Sequence, residues 1–404
     1  MDSLSFELHS IGPLCMHKCE KPVNNMQGGT MRRPVLLVVA VETKRQAVSY
    51  IKEALLAHEL AVTIIDISLG SNGQVWDGER KLSAMDQSVA DALSQIGEFT
   101  EGHEPVVLGV GGGTGSDMII RVMKALPNKV SRVLVTTLPF DPRAAVAEDS
   151  IILVPSIVDI EGLNPSLRNV FDKTASLVAG LAHLAQSSNP RPSVGLTTLG
   201  ITSKAGIEIS KKLNDAGHEV TAFHANGFGG AAFAKYAREG AFVAAIDMTV
   251  HEITRMVVAG TCIEMPDRFS ATGEIPRIIL PGGMNVIGLG SIDSIAPHFL
   301  DRPYYRHSAH FTHVKMSAEE MHNAASQLAA ALNSGQAPTK VLLPMGGFSS
   351  EDRPDGAIED ADLREVAAQS LEASAQRYEV VRTSAHIFAP ETANKAVHLL
   401  LEIL

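Results

Sequence analysis

The segment Val107-Leu108-Gly109-Val110-Gly111-Gly112-Gly113-Thr114-Gly115-Ser116-Asp117 runs as an apolar strand, breaks into glycines and restarts at Met118 as an amphipathic stretch reaching Leu126. Adjacent glycines permit a tight turn and let several N–H groups converge with no Cβ in the way. The hydroxyls of Thr114 and Ser116 and the positive end of the following helix dipole address the same point. The pattern predicts a strand, turn and helix that hold a phosphate or carboxylate, with a purely structural turn as the alternative. No Gly-Lys-Ser/Thr closes it, so it is not a Walker loop, and Thr114 stands where the dinucleotide G-x-G-x-x-G counted from Gly109 needs its last glycine. The anion-binding candidates are Gly111, Gly112, Gly113, Thr114, Gly115 and Ser116, with Thr43, Lys44, Thr136 and Thr137 expected at the edges of the same pocket.

Gly111 to Ser116 resembles the phosphate-binding loop of the tubulin and bacterial tubulin-like GTPases. Asp117 replaces that loop's last glycine, and no matching Asn/Asp catalytic loop follows downstream.

Strands and helices alternate along the chain as a parallel sheet requires. Val35 to Val41, Ala61 to Ile67, Pro105 to Val110 and Val133 to Thr137 are short β-branched runs, separated by amphipathic stretches at about 44–57, 83–97 and 114–125. Ile151 to Val154 reads as a further strand, followed by a helix from Asn164 to Gln186; the polar, Pro-rich Ser187 to Pro192 then marks a boundary. A second series begins at Val194, with strands near 194–199, 219–224, 242–246, 277–280, 340–344 and 378–383. Its helices fall near 203–215, 228–239, 249–258, 317–333, 360–376 and 391–402. The expected fold is α/β: two tandem doubly wound parallel-sheet domains, 34–188 and 189–404, with an interdomain cleft. Residues 1–33 lack periodicity and are expected to form a poorly ordered extension.

A net formal charge of −11 with no basic run beyond pairs argues against duplex nucleic acid as a partner. No apolar stretch approaches the roughly 18 residues of a membrane span, and no signal pattern opens the chain, so a cytoplasmic location without a membrane partner is expected. Three cysteines cannot form a disulfide framework. Cys15, His17 and Cys19 lack a second ligand pair, and His310 in a strand points away from His307 and His313, so no metal site is expected.

In doubly wound sheets ligands sit at the carboxyl ends of the strands, and here those ends carry unusual residues. His224, Asp247, Asn285, Glu252 and His307 are the catalytic candidates, and Asn226, Gly227, Gly229, Gly230, Gly282, Gly283 and Gly346 the substrate-binding ones. A carboxylate such as Asp247 opposite a bound nucleotide suits a general base or a magnesium ligand. For Glu252 and Arg255, three apart on one helix face, a cap and an ordinary surface ion pair are the favoured alternative. For the His224 loop taken alone, a structural turn is an equal alternative.

Several stretches, in order, resemble the Tm-1-like proteins, uncharacterised protein family 0261, over about residues 34 to 404. They are Gly109 to Ser116, Val158 to Asn164, His224 to Gly230, Asp247 to Glu252, Pro281 to Asn285, and Arg306-His307. The resemblance implies two Rossmann-like domains, ATP bound by the first, and a plant relative that blocks a viral replication protein. The family's Gly-Thr-x-Asp-Thr-Lys is here Val39-Ala40-Val41-Glu42-Thr43-Lys44, which keeps only Thr43 and Lys44 and points to an altered nucleotide pocket. Two functions follow as expectations. One is an ATP-dependent enzyme, a ligase or hydrolase with magnesium, acting on a small polar or carboxylated metabolite. The other is a nucleotide-regulated binding protein without turnover. Either is expected as a homodimer or higher homo-oligomer.

Overall fold

The computed structural model describes residues 32–100, 104–127, 129–138, 141, 145–183, 192–261 and 263–404. The expectations for residues 1–31 and most of the 187–192 boundary lie outside these. The described residues fall into two compact units, one from residues up to 122, 130–137 and 153–185, the other from 123–129, 138–152 and 186–404.

The first unit is built on β1 (Val35–Val39), β2 (Val62–Asp66), β3 (Val106–Gly111), β4 (Ser131–Thr136) and β5 (Ile151–Pro155), in the order β2-β1-β3-β4-β5. β1 pairs in parallel with β2 and β3, and β3 with β4. All five residues of β1 are buried, because a central parallel strand covered on both faces has no solvated side toward which to alternate. The helices are α1 (Val41–Ala57), α2 (Gly78–Thr100), α3 (Gly113–Lys124) and α4 (Pro165–His183). α1 turns Ala47, Val48, Ile51 and Leu55 toward the sheet, and α4 turns Leu167, Phe171, Ala175 and Val178, the helical spacing of one apolar stripe. Strand order reverses between β1 and β3, so the segments that follow them, Ala40 to Lys44 and Gly111 to Ser116, share the crevice where such sheets bind ligands.

The second unit repeats the plan with β6 (Ser193–Thr198), β7 (Val220–His224), β8 (Phe242–Thr249) and β9 (Arg277–Gly282), and later β13 (Thr339–Pro344) and β14 (Glu379–Thr383). Their order is β14-β13-β9-β8-β6-β7, with every neighbouring pair parallel and the reversal between β6 and β8. Its helices are α5 (Ser203–Asp215), α6 (Phe228–Arg238), α7 (Glu252–Val258), the short α8 (Pro297–Leu300), α9 (Ala318–Asn333), α10 (Ala361–Ala373) and α11 (Pro390–Ile403). α9 starts where it does because Ser317 Oγ accepts from Glu320 N at 3.2 Å while the Glu320 carboxylate accepts from Ser317 N at 2.8 Å.

One element departs from the expected pattern. Between β9 and β13 lies an antiparallel sheet, β10 (Val286–Leu289), β11 (Tyr304–Arg306) and β12 (Thr312–Lys315), ordered β10-β12-β11. Strands of three or four residues carry too few side chains for a two-residue period to register. Among the described residues no helix is long and apolar enough to cross a membrane.

Candidate functional site

In the first unit the glycine turn leaves β3 and enters α3 at Gly113. Its members differ in role. A Cβ on Gly111 would lie 2.6 Å from Ser116 N, so this glycine lets the backbone close on itself. A Cβ on Gly112 would come no nearer to anything than 4.0 Å, and the atom it meets is Lys44 Nζ; one on Gly115 would meet open space. The buried Ser116 hydroxyl donates to Gly111 O at 3.0 Å and shares a 2.7 Å hydrogen bond with Thr136 Oγ1. Those two hydroxyls therefore brace the turn rather than face outward. Thr43 is exposed, with Oγ1 3.5 Å from Ala40 O, and Thr137 is half-buried just beyond β4.

Lys44 breaks the regularity of α1, with φ −130° and ψ 28° inside the helix. Its ammonium donates to Ile160 O at 2.9 Å. Burial lowers its pKa against the raising effect of Asp159 and Glu161. A cation thus stands beside bare glycine backbone at the start of a helix, where the first N–H groups have no partner within the helix itself.

In the second unit a cavity of about 560 Å³ opens where β6, β7 and β8 end. His224, Asn226, Gly227, Glu252 and His307 all border it. Asn285 does not: it is 1 % exposed, and its Nδ2 donates to Ser349 Oγ at 3.3 Å. Asp247 sits within β8, two residues before its end, and is also absent from the cavity wall. The glycine loops are closed from within. Gly227 N donates to Glu252 Oε1 at 2.8 Å and Gly229 N to Asn226 Oδ1 at 3.2 Å. A Cβ on Gly229 would strike the His224 carbonyl, one on Gly230 the Glu252 carboxylate, and one on Gly282 the Met248 carbonyl. Gly283 abuts Ile201 and His251, and Gly346 lies against the backbone at His386. These glycines make room for neighbouring chain.

Asp247 and Glu252 converge on Arg268. The Arg268 guanidinium is fully buried, donating to both Asp247 oxygens at 2.7 and 2.9 Å and to Glu252 Oε2 at 2.6 Å. Phe233 and Phe269 place their rings 5.2 and 4.6 Å from its carbon. Thr197 Oγ1 donates to Asp247 Oδ1 at 2.6 Å. Burial works against the guanidinium charge, but the two carboxylates outweigh it and hold the Arg268 pKa above its ordinary value. The surface ion pair weighed for Glu252 and Arg255 is thus corrected: Glu252 is 2 % exposed and bound to Arg268, while Arg255 donates to Gly260 O at 2.9 Å and Gly288 O at 2.6 Å.

The sequence matches the profile of the uncharacterised protein family (UPF0261) C-terminal domain over residues 191–404 and that of its N-terminal domain over residues 70–187. The chain belongs to the UPF0261 family. It is 28 % identical over 347 residues to a UPF0261 protein of Rhizobium meliloti, covering 83 % of this chain and 87 % of that one. Identity to a UPF0261 protein of Mesorhizobium japonicum is 27 % over 394 residues, 91 % of this chain and 98 % of the relative. The ToMV resistance protein Tm-1(GCR237) of Solanum lycopersicum is 27 % identical over 310 residues, 74 % of this chain but 41 % of the tomato protein.

This UPF0261 chain also lines its cavity with His251 and His313, which sequence reasoning did not select. Register in the small sheet sets Gly288 and Tyr305 beside His313. A Cβ on Gly288 would lie 2.5 Å from His251 Nε2, so Gly288 is what admits that ring. His307 stacks on His313 at 5.3 Å, and His251 lies 5.7 Å from it on the other contact. The hairpin, not the alternation of a single strand, brings His307 and His313 together, and His310 lies in its exposed connection. Among the described residues no group of histidine, cysteine and acidic side chains is arranged to hold a metal ion.

Burial, with His251 and His307 adding to it, pushes His313 down to about 3, and burial lowers His251 as well. The unfolded chain therefore takes up protons below about pH 6.5 that the native chain refuses, so stability is fully present above that pH and falls as pH drops toward 5. His313 is expected to contribute a slope approaching about 1.4 kcal/mol per pH unit between its unfolded pKa and about 3, and His251 adds in the same direction. Urea midpoints measured between pH 8 and 5 should show the decline, and His313→Phe should flatten it. A wild-type profile level down to pH 5 contradicts this account.

Proposed function

We propose that the N-terminal unit holds the phosphates of a nucleotide, ATP by family resemblance, on the turn from Gly112 to Gly115, with Lys44 as counter-charge. The observation that carries this is the position of Lys44 Nζ, the atom a Cβ on Gly112 would meet at 4.0 Å, at the crevice between β1 and β3. Backbone N–H groups and one ammonium suit a phosphate, and Gly112 and Gly115 leave the approach clear. Bound ATP supplies a transferable phosphoryl group; this chain's residues orient it and offset its charge. Magnesium finds no support at the expected carboxylates, because Asp247 and Glu252 are both committed to Arg268.

The cavity of the C-terminal unit serves in this reading as the site for a small polar or carboxylated metabolite, and the chain acts as an ATP-dependent enzyme. Its proton carriers are then histidines. His224 and His307 are exposed at the cavity, and His307 Nδ1 shares a 2.5 Å hydrogen bond with the Tyr305 hydroxyl, which fixes the ring. One observation favours the second reading, a nucleotide-regulated binding protein: the carboxylates suited to general-base work are both already committed to Arg268. The relative named as a ToMV resistance protein is compatible with that role.

Calorimetric titration with ATP tests the nucleotide site. Lys44→Ala is expected to weaken binding by about tenfold to a hundredfold, the loss of one charge-assisted contact. Gly112→Val places a side chain between the ammonium and the turn, and is expected to do at least as much without unfolding the protein. Unchanged affinity in both folded variants would put the nucleotide elsewhere. Consumption of ATP with a panel of small acids then separates the enzyme from the regulator.

A further inference from the structure

We propose that the cavity of the C-terminal unit binds a small monocarboxylic acid with an apolar body, its carboxylate on the Arg255 guanidinium and its body against Leu199, Ile201, Phe228 and Phe311. This rests on the reading of the cavity as the metabolite site and adds the class of ligand.

Arg255 borders the cavity with its orientation already fixed, Nε on the carbonyl of Gly260 and Nη1 on that of Gly288. Both acceptors are neutral, and among the described residues no carboxylate pairs with it. A guanidinium held in place with its charge uncompensated is a prepared partner for a planar carboxylate. The surrounding charge limits the ligand to one negative charge. Asp247 and Glu252 bring two formal negatives against the single positive of Arg268. A phosphate monoester, at about two negative charges, meets no surplus of cations here.

A second observation points to a ligand independently. His313 borders the cavity, is 6 % exposed, and has a buried Nδ1 with no hydrogen-bond partner. Such orphaned atoms are rare in native proteins and call for a group that completes them. The volume of about 560 Å³ is far more than a bare carboxylate needs and lies in the range of small-molecule sites.

The test titrates the full chain, without nucleotide, with sodium benzoate and sodium hexanoate, read by calorimetry and by saturation-transfer NMR. Dissociation constants of about 1 mM or tighter are expected, with acetate and phenyl phosphate at least about tenfold weaker. Arg255→Gln should weaken benzoate and hexanoate by at least about tenfold. Phe311→Ala, at a side chain already 58 % exposed, should weaken hexanoate by about threefold with no change in melting midpoint. The ligand series on the unaltered protein and the Phe311 variant keep the test decisive even if Arg255→Gln does not fold. The proposal is overturned by no binding of either acid at about 10 mM, by equal affinity in folded Arg255→Gln, or by phenyl phosphate binding tighter than benzoate. Because nucleotide is absent throughout, failure here leaves the N-terminal phosphate site standing, and failure of ATP to bind leaves this result untouched.

Discussion

Arg268→Ala is expected to destabilise the C-terminal unit by about 3–5 kcal/mol, the scale for removing one partner of a buried ion cluster. The guanidinium is wholly enclosed and serves two carboxylates at once, bidentate to Asp247 and through Nε to Glu252. Without it, Asp247 keeps Thr197 Oγ1 and Glu252 keeps Gly227 N, each a single neutral donor for a charge buried away from water. Arg268→Lys should recover only part of the loss, since one ammonium cannot reproduce a planar fork that spans two acids. The triple replacement Arg268→Met, Asp247→Asn, Glu252→Gln should lie nearer the wild type than Arg268→Ala, because no charge is then left unpaired. Urea denaturation of the three variants measures all of this. A loss below about 1 kcal/mol for Arg268→Ala would falsify the view of this cluster as a structural anchor. The consequence reaches function: inactive Asp247→Asn or Glu252→Gln proteins would not, by inactivity alone, identify catalytic acids.

Much of the architecture is legible along the chain because parallel strands and their crossover helices each leave a local mark. Val35 to Val39 is continuously apolar since both faces are covered, and Ile51 and Leu55 repeat at helical spacing. Arg268 leaves no such mark. It lies in the connection between α7 and β9 and meets Asp247 across 21 residues, a pairing set by the fold and invisible to periodicity. The glycine loops are ambiguous for another reason. Gly112, Gly229, Gly230 and Gly346 look alike as letters, because the absence of a Cβ serves equally to admit a ligand or to admit neighbouring chain. Only the three-dimensional surroundings tell the two uses apart. His251 and His313 were hidden likewise, one behind the missing side chain of Gly288, the other in a four-residue strand.

That distinction between glycines sets the second large effect. Gly347→Ala is expected to destabilise the protein by about 3 kcal/mol or more, combining a strained backbone with an overpacked site. Its φ of +144° lies where side chains are strongly disfavoured, and the added Cβ would land on the Asp352 carbonyl and the His386 ring. Neither neighbour is free to move. Asp352 accepts from Phe348 N at 2.9 Å and pairs with Arg364, while His386 Nε2 is 3.0 Å from Ser349 O. Gly115→Ala is the opposite case: the position is inside α3, its φ is ordinary, and the new methyl meets open space. Alanine there should leave stability unchanged or raise it by up to about 1 kcal/mol, since a helix favours it over glycine. The same methyl enters the approach to the phosphate turn, so ATP affinity should fall although the fold is intact. Thermal melts and calorimetry on the two variants separate a glycine kept for packing from one kept for a ligand. A tolerated Gly347→Ala, or a Gly115→Ala protein that unfolds, reverses those assignments.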